Sequence, residues 1–391
     1  MSIVNRIREG VREEGLSWVL ERVCRFGGIN AVGRVIATQK AEFVAWANNP
    51  SRDTLVAVYD LDVSPLTFDA PWFFVGAELE RRKRGLNFLE IVIVPGRNGG
   101  VRFEDDAYEK VVDRANRLWR LHNVLVASAQ LMMPRPTVHV ANSRAGARAH
   151  LKKAWNVYPD GYRVGRPLAF DAPQYAAVLS ELNSSGLSSF FSGGEAGRKY
   201  VQNWRNKIKA APRLVLVTLR QYAYMADRNS DLAVWLEFAE SIDPSRYTVA
   251  FIPDTEAAFG PEMQELATKF PILREAAFST YLRMAFYESA FLNMSTNCGP
   301  ASLFVLNKHC RYAMFKNIVP TAPMSTEDRL RSYGFVPGEN PRFATPLQKW
   351  VWEDDTVESL TREFEEFVAR VERLGAPDVP ALPPVQKAVE A

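Results

Sequence analysis

Apolar and polar positions follow two rhythms along the chain. In the first half, short, almost wholly apolar runs occur at TLVAVYDLD (54–62), LEIVIVPG (89–96), NVLVAS (123–128) and TVHVANS (137–143). Each reads as a strand whose two faces are both covered. Between them, WFFVGAELERRKRG (72–85) and DAYEKVVDRANRLWRL (106–121) carry helical periodicity. Strand and helix in alternation predict a parallel sheet with helices on its faces. A second alternation starts with RLVLVTLRQ (213–221) and continues through YTVAFIPDTE (247–256), FLNMST (291–296) and RYAMFKNIV (311–319). Its helices are SDLAVWLEFAESI (230–242), with Ser230 as N-cap, PEMQELATKF (261–270), STYLRMAFYESA (279–290) and GPASLFVLNKH (299–309). DTVESLTREFEEFVARVERLG (355–375) is a long amphipathic closing helix that ends at Gly375.

The remaining stretches mark boundaries. Residues 161–173 have the Gly/Pro texture of a connection, and NSSGLSSFFSGGEAG (183–197) reads as a flexible loop. Residues 1–45 carry apolar residues at helical spacing, with Arg6, Arg8 and Arg12 beside the stripe. That pattern suits a membrane surface, but Glu13, Glu14 and Glu21 dilute its charge, which favours packing on the first domain. The expected layout is a helical segment over 1–45, a Rossmann-like domain over 46–205, a second over 206–375, and a disordered Pro-rich tail over 376–391. This is an α/β chain of two doubly wound domains facing a cleft, where ligands sit at the carboxyl ends of the strands.

Composition narrows the function. At 391 residues and 47% hydrophobic content, the chain is globular. Its 48 Lys and Arg against 45 Asp and Glu leave a net charge of +3, too mild for a dedicated nucleic-acid binder. Cys24, Cys298 and Cys310 form no disulfide framework and no zinc-binding spacing, so a reducing cytoplasm is the expected setting. No apolar run reaches the about 20 residues needed to span a bilayer, and the charged N-terminus lacks a secretory core. The signatures GxxxxGK[ST], HExxH, GxSxG and GxGxxG after a strand are all missing. P-loop hydrolysis, zinc proteolysis and standard dinucleotide chemistry are therefore not expected.

Two polar stretches in the second half suit an anion. TLRQYAYMADRNSD (218–231) follows a strand and precedes a helix. Arg220 and Arg228, with Asn229, Ser230 and the amides of the helix start, predict a diphosphate site. LNMSTNCGPASL (292–303) ends a strand in Ser295, Thr296 and Asn297, then opens a helix through Gly299 and Pro300. Its amides favour an anion, and its side chains can bond a sugar or ribose. The plain alternatives are a structural loop and a helix cap.

Ser295-Thr296-Asn297-Cys298-Gly299-Pro300 resembles the turn Asp-Ser/Thr-Gly-Pro of the GT-B glycosyltransferases, nearest to the heptosyltransferase-like group, though without the acid. The resemblance covers this motif and the two-domain layout. It implies a transferase whose second domain holds a nucleotide sugar and whose first domain contacts the acceptor. It also implies that Arg220 lies beside the diphosphate while Asp254 and Thr255 face the nucleoside. No cofactor is required beyond the nucleotide-sugar donor.

In the first domain, Asp60 and Asp62 end a strand within YDLDVSPLTFD (59–69). A carboxylate there could deprotonate an acceptor hydroxyl. The same pair spells DxD, a divalent-metal signature in another transferase architecture, but the base role is preferred. Arg97 in GRNGGVR (96–102) could touch an acceptor anion, although a plain turn is favoured there; His122 and ERRKRG (80–85) read as structural. The sequence thus predicts a cytoplasmic transferase, with peripheral contact to the inner membrane face as an option, that moves a sugar to a glycan or lipid-linked acceptor in cell-surface polysaccharide synthesis. An epimerase of the same fold and a non-catalytic binding protein are the alternatives.

Overall fold

All strand pairs in both sheets run parallel. The computed structural model describes residues 51–97 and 100–380, so the helical reading of 1–45 and the tail beyond 380 fall outside the described residues. The first sheet holds β1 (Ser51–Asp60), β2 (Phe88–Val94), β3 (Thr137–Val140) and β4 (Ala154–Tyr158) in the order β3-β2-β1-β4. The second holds β5 (Arg213–Thr218), β6 (Tyr247–Ile252), β7 (Leu292–Thr296), β8 (Tyr312–Phe315) and β9 (Gln348–Trp350) in the order β6-β5-β7-β8-β9. Each sheet starts near its middle and reverses direction once, the doubly wound pattern expected from the alternation. No helix among the described residues is long and apolar enough to cross a membrane.

The chain divides into two compact units, neither of them a single stretch. The first takes the chain up to Leu66 together with Gly76–Glu104 and Pro136–Phe170; the second takes Thr67–Val75, Asp105–Arg135 and everything from Asp171. The boundary expected after residue 205 thus falls inside the second unit. In the first unit, Val56, Val58, Val92 and Val94 bury one sheet face against Ala141, Ala147, Tyr162 and Val164. In the second, helix Leu232–Ser241 and the closing helix Val357–Leu374 pack Trp235, Phe238, Leu360, Phe364 and Phe367 on β5, β6 and β7. The closing helix begins at a capping box of Thr356 and Ser359 and ends on Gly375 in the left-handed region, as its sequence predicted.

Four readings of the sequence are corrected. NVLVAS is helical. Helices Asp106–Val111 and Arg114–Arg120 are separated by Asp113, which caps the second, and the chain runs on through a π-helix (Leu121–Val126) into Ala127–Gln130. An apolar run of six residues does not separate a covered strand from a covered helix. Helices Arg144–Leu151, Ala172–Ser185 and Gly194–Ile208 and strand β4 lie between 144 and 208, where the sequence reading named only a connection over 161–173 and a loop over 183–197. The Ser/Gly-rich loop between the last two helices is pinned, because Phe190 and Phe191 are fully buried and Phe191 accepts from Asn307 at 2.6 Å. Finally, the start of the expected tail is tied down. Arg213 pairs with Asp378 at 2.7 Å and Arg311 donates to the Pro377 carbonyl at 2.8 Å.

Candidate functional site

β5 and β7 are neighbours at the point where the strand order of the second sheet reverses. Thr218 closes β5 opposite Ser295. Such a reversal leaves a crevice at the carboxyl ends, because successive connections depart to opposite sides. The two polar stretches meet there. Arg228 Nη2 donates to the Asn297 carbonyl at 3.1 Å, and the hydroxyls of Ser230 and Thr296 lie 3.2 Å apart.

Arg220 organises its own loop. It is 8% exposed. Its Nη1 donates to the Met225 carbonyl at 2.9 Å and to the Asn229 side chain, and its Nη2 donates to the Tyr224 carbonyl at 2.6 Å. The Arg220 amide donates to Ser230 Oγ at 3.0 Å, and the Ser230 amide donates back to the Arg220 carbonyl at 3.0 Å. Asn229 joins the same mesh, accepting from the Tyr222 amide at 3.1 Å and donating to the Tyr222 carbonyl at 3.1 Å. Arg228 is less committed: its Nε is buried with no hydrogen-bond partner. Among the described residues, neither arginine has a carboxylate at ion-pair distance. Burial pushes the Arg220 guanidinium down to about 10, with the neighbouring Arg228 charge adding to the effect, and burial lowers Arg228 as well. Buried cations are ordinarily paired, so an unpaired couple at a crevice marks a place for an anion.

The amides expected at the two helix starts are occupied. Asp231, not Ser230, caps helix Leu232–Ser241, accepting from the Ala233 and Val234 amides at 3.1 and 3.4 Å. Asp355 accepts from the Asp231 amide at 3.0 Å and from Trp235 Nε1 at 2.8 Å. Two carboxylates therefore close this positive end, where an external anion had been expected. After β7 the helix is only Ala301–Val305, with Pro300 as its N-cap. The amides of Ala301, Ser302 and Leu303 donate to the carbonyls of Cys298, Gly299 and Pro300 at 3.1, 3.2 and 3.1 Å. Guanidinium groups, rather than helix amides, give the crevice its positive character.

The other expected residues also lie in this unit. Asn297 donates its amide to the Phe315 carbonyl at 2.8 Å, and Ser295 Oγ is fully buried without a partner. A Cβ on Gly299 would come within 3.2 Å of the Phe68 side chain. At the end of β6, Asp254 accepts from the Thr255 amide at 2.9 Å and the Gln221 amide at 3.4 Å, while Thr255 Oγ1 donates to the Ala277 carbonyl at 3.4 Å. Burial, then the nearby Asp254 charge, raises Glu256. Lys316, at the end of β8, donates to the Asn229 carbonyl at 3.1 Å and sits 3.7 Å from Asp355.

The sequence reading missed Asp69. Its carboxylate accepts from Thr67 Oγ1 at 2.5 Å and from the Tyr175 hydroxyl at 3.1 Å. Its charge acts on Arg228, and its neighbour Phe68 faces Gly299. An acid directly ahead of a helix that opens Ala70-Pro71 was the available signal.

In the first unit, Asp60 is not a free base. It is 1% exposed and accepts from Arg144 Nη1 and Nη2 at 2.8 and 3.0 Å, from the Tyr162 hydroxyl at 2.6 Å and from the Asp62 amide at 3.0 Å. Arg144 also donates to the Pro95 carbonyl at 2.9 Å, joining the ends of β1 and β2. With its lone pairs filled this way, Asp60 has a structural part, which overturns the base and DxD readings for this residue. Asp62 accepts from the Arg97 amide at 2.9 Å, and the Arg97 guanidinium lies 3.5 Å away, so Arg97 holds this acid. No group of three or more His, Cys, Asp or Glu among the described residues is arranged to hold a metal ion.

No family model and no curated protein matches the sequence. Among solved structures, the chain is similar to a glycosyl transferase family 9 protein from Veillonella parvula (10% identity, TM-score 0.46, covering 81% of this chain and 97% of that one). It is also similar to the Escherichia coli heptosyltransferase WaaC, solved with ADP-2-deoxy-2-fluoro heptose (10% identity, TM-score 0.33, 80% and 99%). A third is the NodZ alpha-1,6-fucosyltransferase co-crystallised with GDP (13% identity, TM-score 0.33, 68% and 95%).

Proposed function

We propose that the protein is a glycosyltransferase that takes its sugar from a nucleoside-diphosphate donor held by the second unit. The observation that carries this reading is the pair of buried Arg220 and half-buried Arg228 at the strand reversal of β5 and β7, with no carboxylate at ion-pair distance among the described residues. Arg220 shapes the loop, and Arg228, with its unpartnered Nε, contacts the diphosphate. Their charge offsets the negative charge that develops on the leaving diphosphate, and so favours the transition state over the bound donor. Asp254 and Thr255, at the end of β6, would take the nucleoside side.

For the acceptor proton we favour Asp69 over Asp60. Asp69 lies in the same unit as Arg228 and is oriented by Tyr175 and Thr67, as a general base requires. Asp62 is the remaining candidate from the sequence. A hexose or heptose donor, a glycan or lipid-linked acceptor, a cytoplasmic setting and a role in surface-polysaccharide synthesis complete the proposal.

The test is a thermal-shift titration of the full chain with UDP, GDP, ADP and their sugars, followed by product analysis. Stabilisation that rises with nucleotide concentration is expected. Absence of any shift at millimolar nucleotide would remove the donor site. A changed sugar without transfer would instead identify an epimerase.

A further inference from the structure

A third guanidinium approaches the same strand ends. Arg283, on helix Thr280–Ser289, is 4% exposed. Its Nε donates to the Ala276 carbonyl at 2.9 Å and its Nη1 to the Tyr287 hydroxyl at 3.3 Å. That hydroxyl lies 3.0 Å from Thr218 Oγ1, at the last residue of β5. Thr218 faces Ser295 in the register, and the buried Ser295 hydroxyl has no partner. One tyrosine therefore links Arg283 to the end of the crevice. Like Arg220 and Arg228, it has no carboxylate at ion-pair distance among the described residues.

Cys298 occupies the turn that follows β7 and is 6% exposed. Burial pushes its thiol up, and the charges of Arg283 and Arg220 pull it back down. Through Tyr287 and Thr218, Arg283 adds a third guanidinium to the strand end where Arg228 meets Asn297.

On the reading of this crevice as a diphosphate site, we propose that Arg283 is a third guanidinium acting on the bound diphosphate. Tyr287 is the positioning residue that holds the Arg283 fork toward the crevice. Ser295 Oγ offers the anion a donor that the protein itself leaves unused.

The test uses the full chain and inorganic pyrophosphate. Calorimetry is run on the wild type, Arg228→Gln, Arg283→Gln and Arg283→Lys, with thermal melts as the check on folding. Each glutamine variant is expected to weaken binding about tenfold or more, as loss of a charge-assisted contact does. If Arg228→Gln weakens binding while Arg283→Gln binds like the wild type, the inference fails and the diphosphate reading stands. If the wild type binds no pyrophosphate, both fail. Should Arg283→Gln not fold, Arg283→Lys decides, since a lysine lacks the planar fork. At least threefold weaker binding is expected there, and wild-type affinity would overturn the proposal.

Discussion

Arg144 grips Asp60 with both terminal nitrogens, at 2.8 and 3.0 Å, and both side chains are almost out of solvent. Removing one member leaves the other charge buried and alone. Asp60→Asn or Arg144→Met should each lower the unfolding free energy by about 3–5 kcal/mol, read from urea denaturation. A loss below about 1 kcal/mol would mean that water reaches the pair and that Asp60 is freer than its contacts indicate.

Arg228→Gln removes a charge that, among the described residues, donates to the Asn297 carbonyl. Folding should change little. Affinity for the nucleoside diphosphate should fall by about 1.5–3 kcal/mol, the range for hydrogen bonds to charged groups. Titration calorimetry of the variant against the wild type measures it, and equal affinities would end the assignment of Arg228 to the phosphates.

The depressed guanidinium of Arg220 gives binding a pH signature. Its value sits at about 10, well below the ordinary guanidinium value, because it is buried beside Arg228. Below about 9 the side chain is charged and affinity should be level. As pH rises through about 10, the cation is lost and affinity should drop. A bound diphosphate favours the charged form, so binding near pH 10 should take up protons, seen as a buffer-dependent heat. In the free protein the sign is opposite for stability. Above about 10 and up to the ordinary guanidinium value the unfolded chain holds more protons, so this group's contribution to stability grows with pH across that window. Affinity that is flat through pH 11 would place Arg220 outside the binding event.

Asp69→Asn should abolish transfer while donor affinity stays within about twofold, because the amide keeps the shape and loses the base. Asp62→Asn is the matched comparison. Steady-state turnover together with donor titration distinguishes them. Turnover retained in Asp69→Asn and lost in Asp62→Asn would move the base to the Arg97-held acid.

What was legible in the sequence follows from how local the determining forces are. β-branched runs that end in polar residues marked seven of the nine strands among the described residues, because covered parallel strands are apolar on both faces. The meeting of the 218–231 and 292–303 stretches followed from topology alone. The strand misread at 123–128 is apolar for a different reason: Val124 and Leu125 are buried on a helix whose hydroxyl neighbour, Thr280, bonds the Asn123 carbonyl. No residue-level pattern distinguishes that environment from a sheet. The occupation of the helix starts was also hidden, because Asp355 is 124 residues from the amide it accepts. Asp60 looked reactive because its partners, Arg144 and Tyr162, are 84 and 102 positions away.

The interleaving of the two units bears on how the chain is made. Met133 and Ser192 exchange backbone bonds with Phe190 and Leu131, at 2.8 and 2.9 Å, so segments emerging early are completed only by segments emerging much later. A fragment that begins at residue 206 would lack this layer. During synthesis the helices of 105–135 emerge long before the rest of the unit that completes them. A chain starting at residue 206 is therefore expected not to fold on its own, which circular dichroism of that fragment would check.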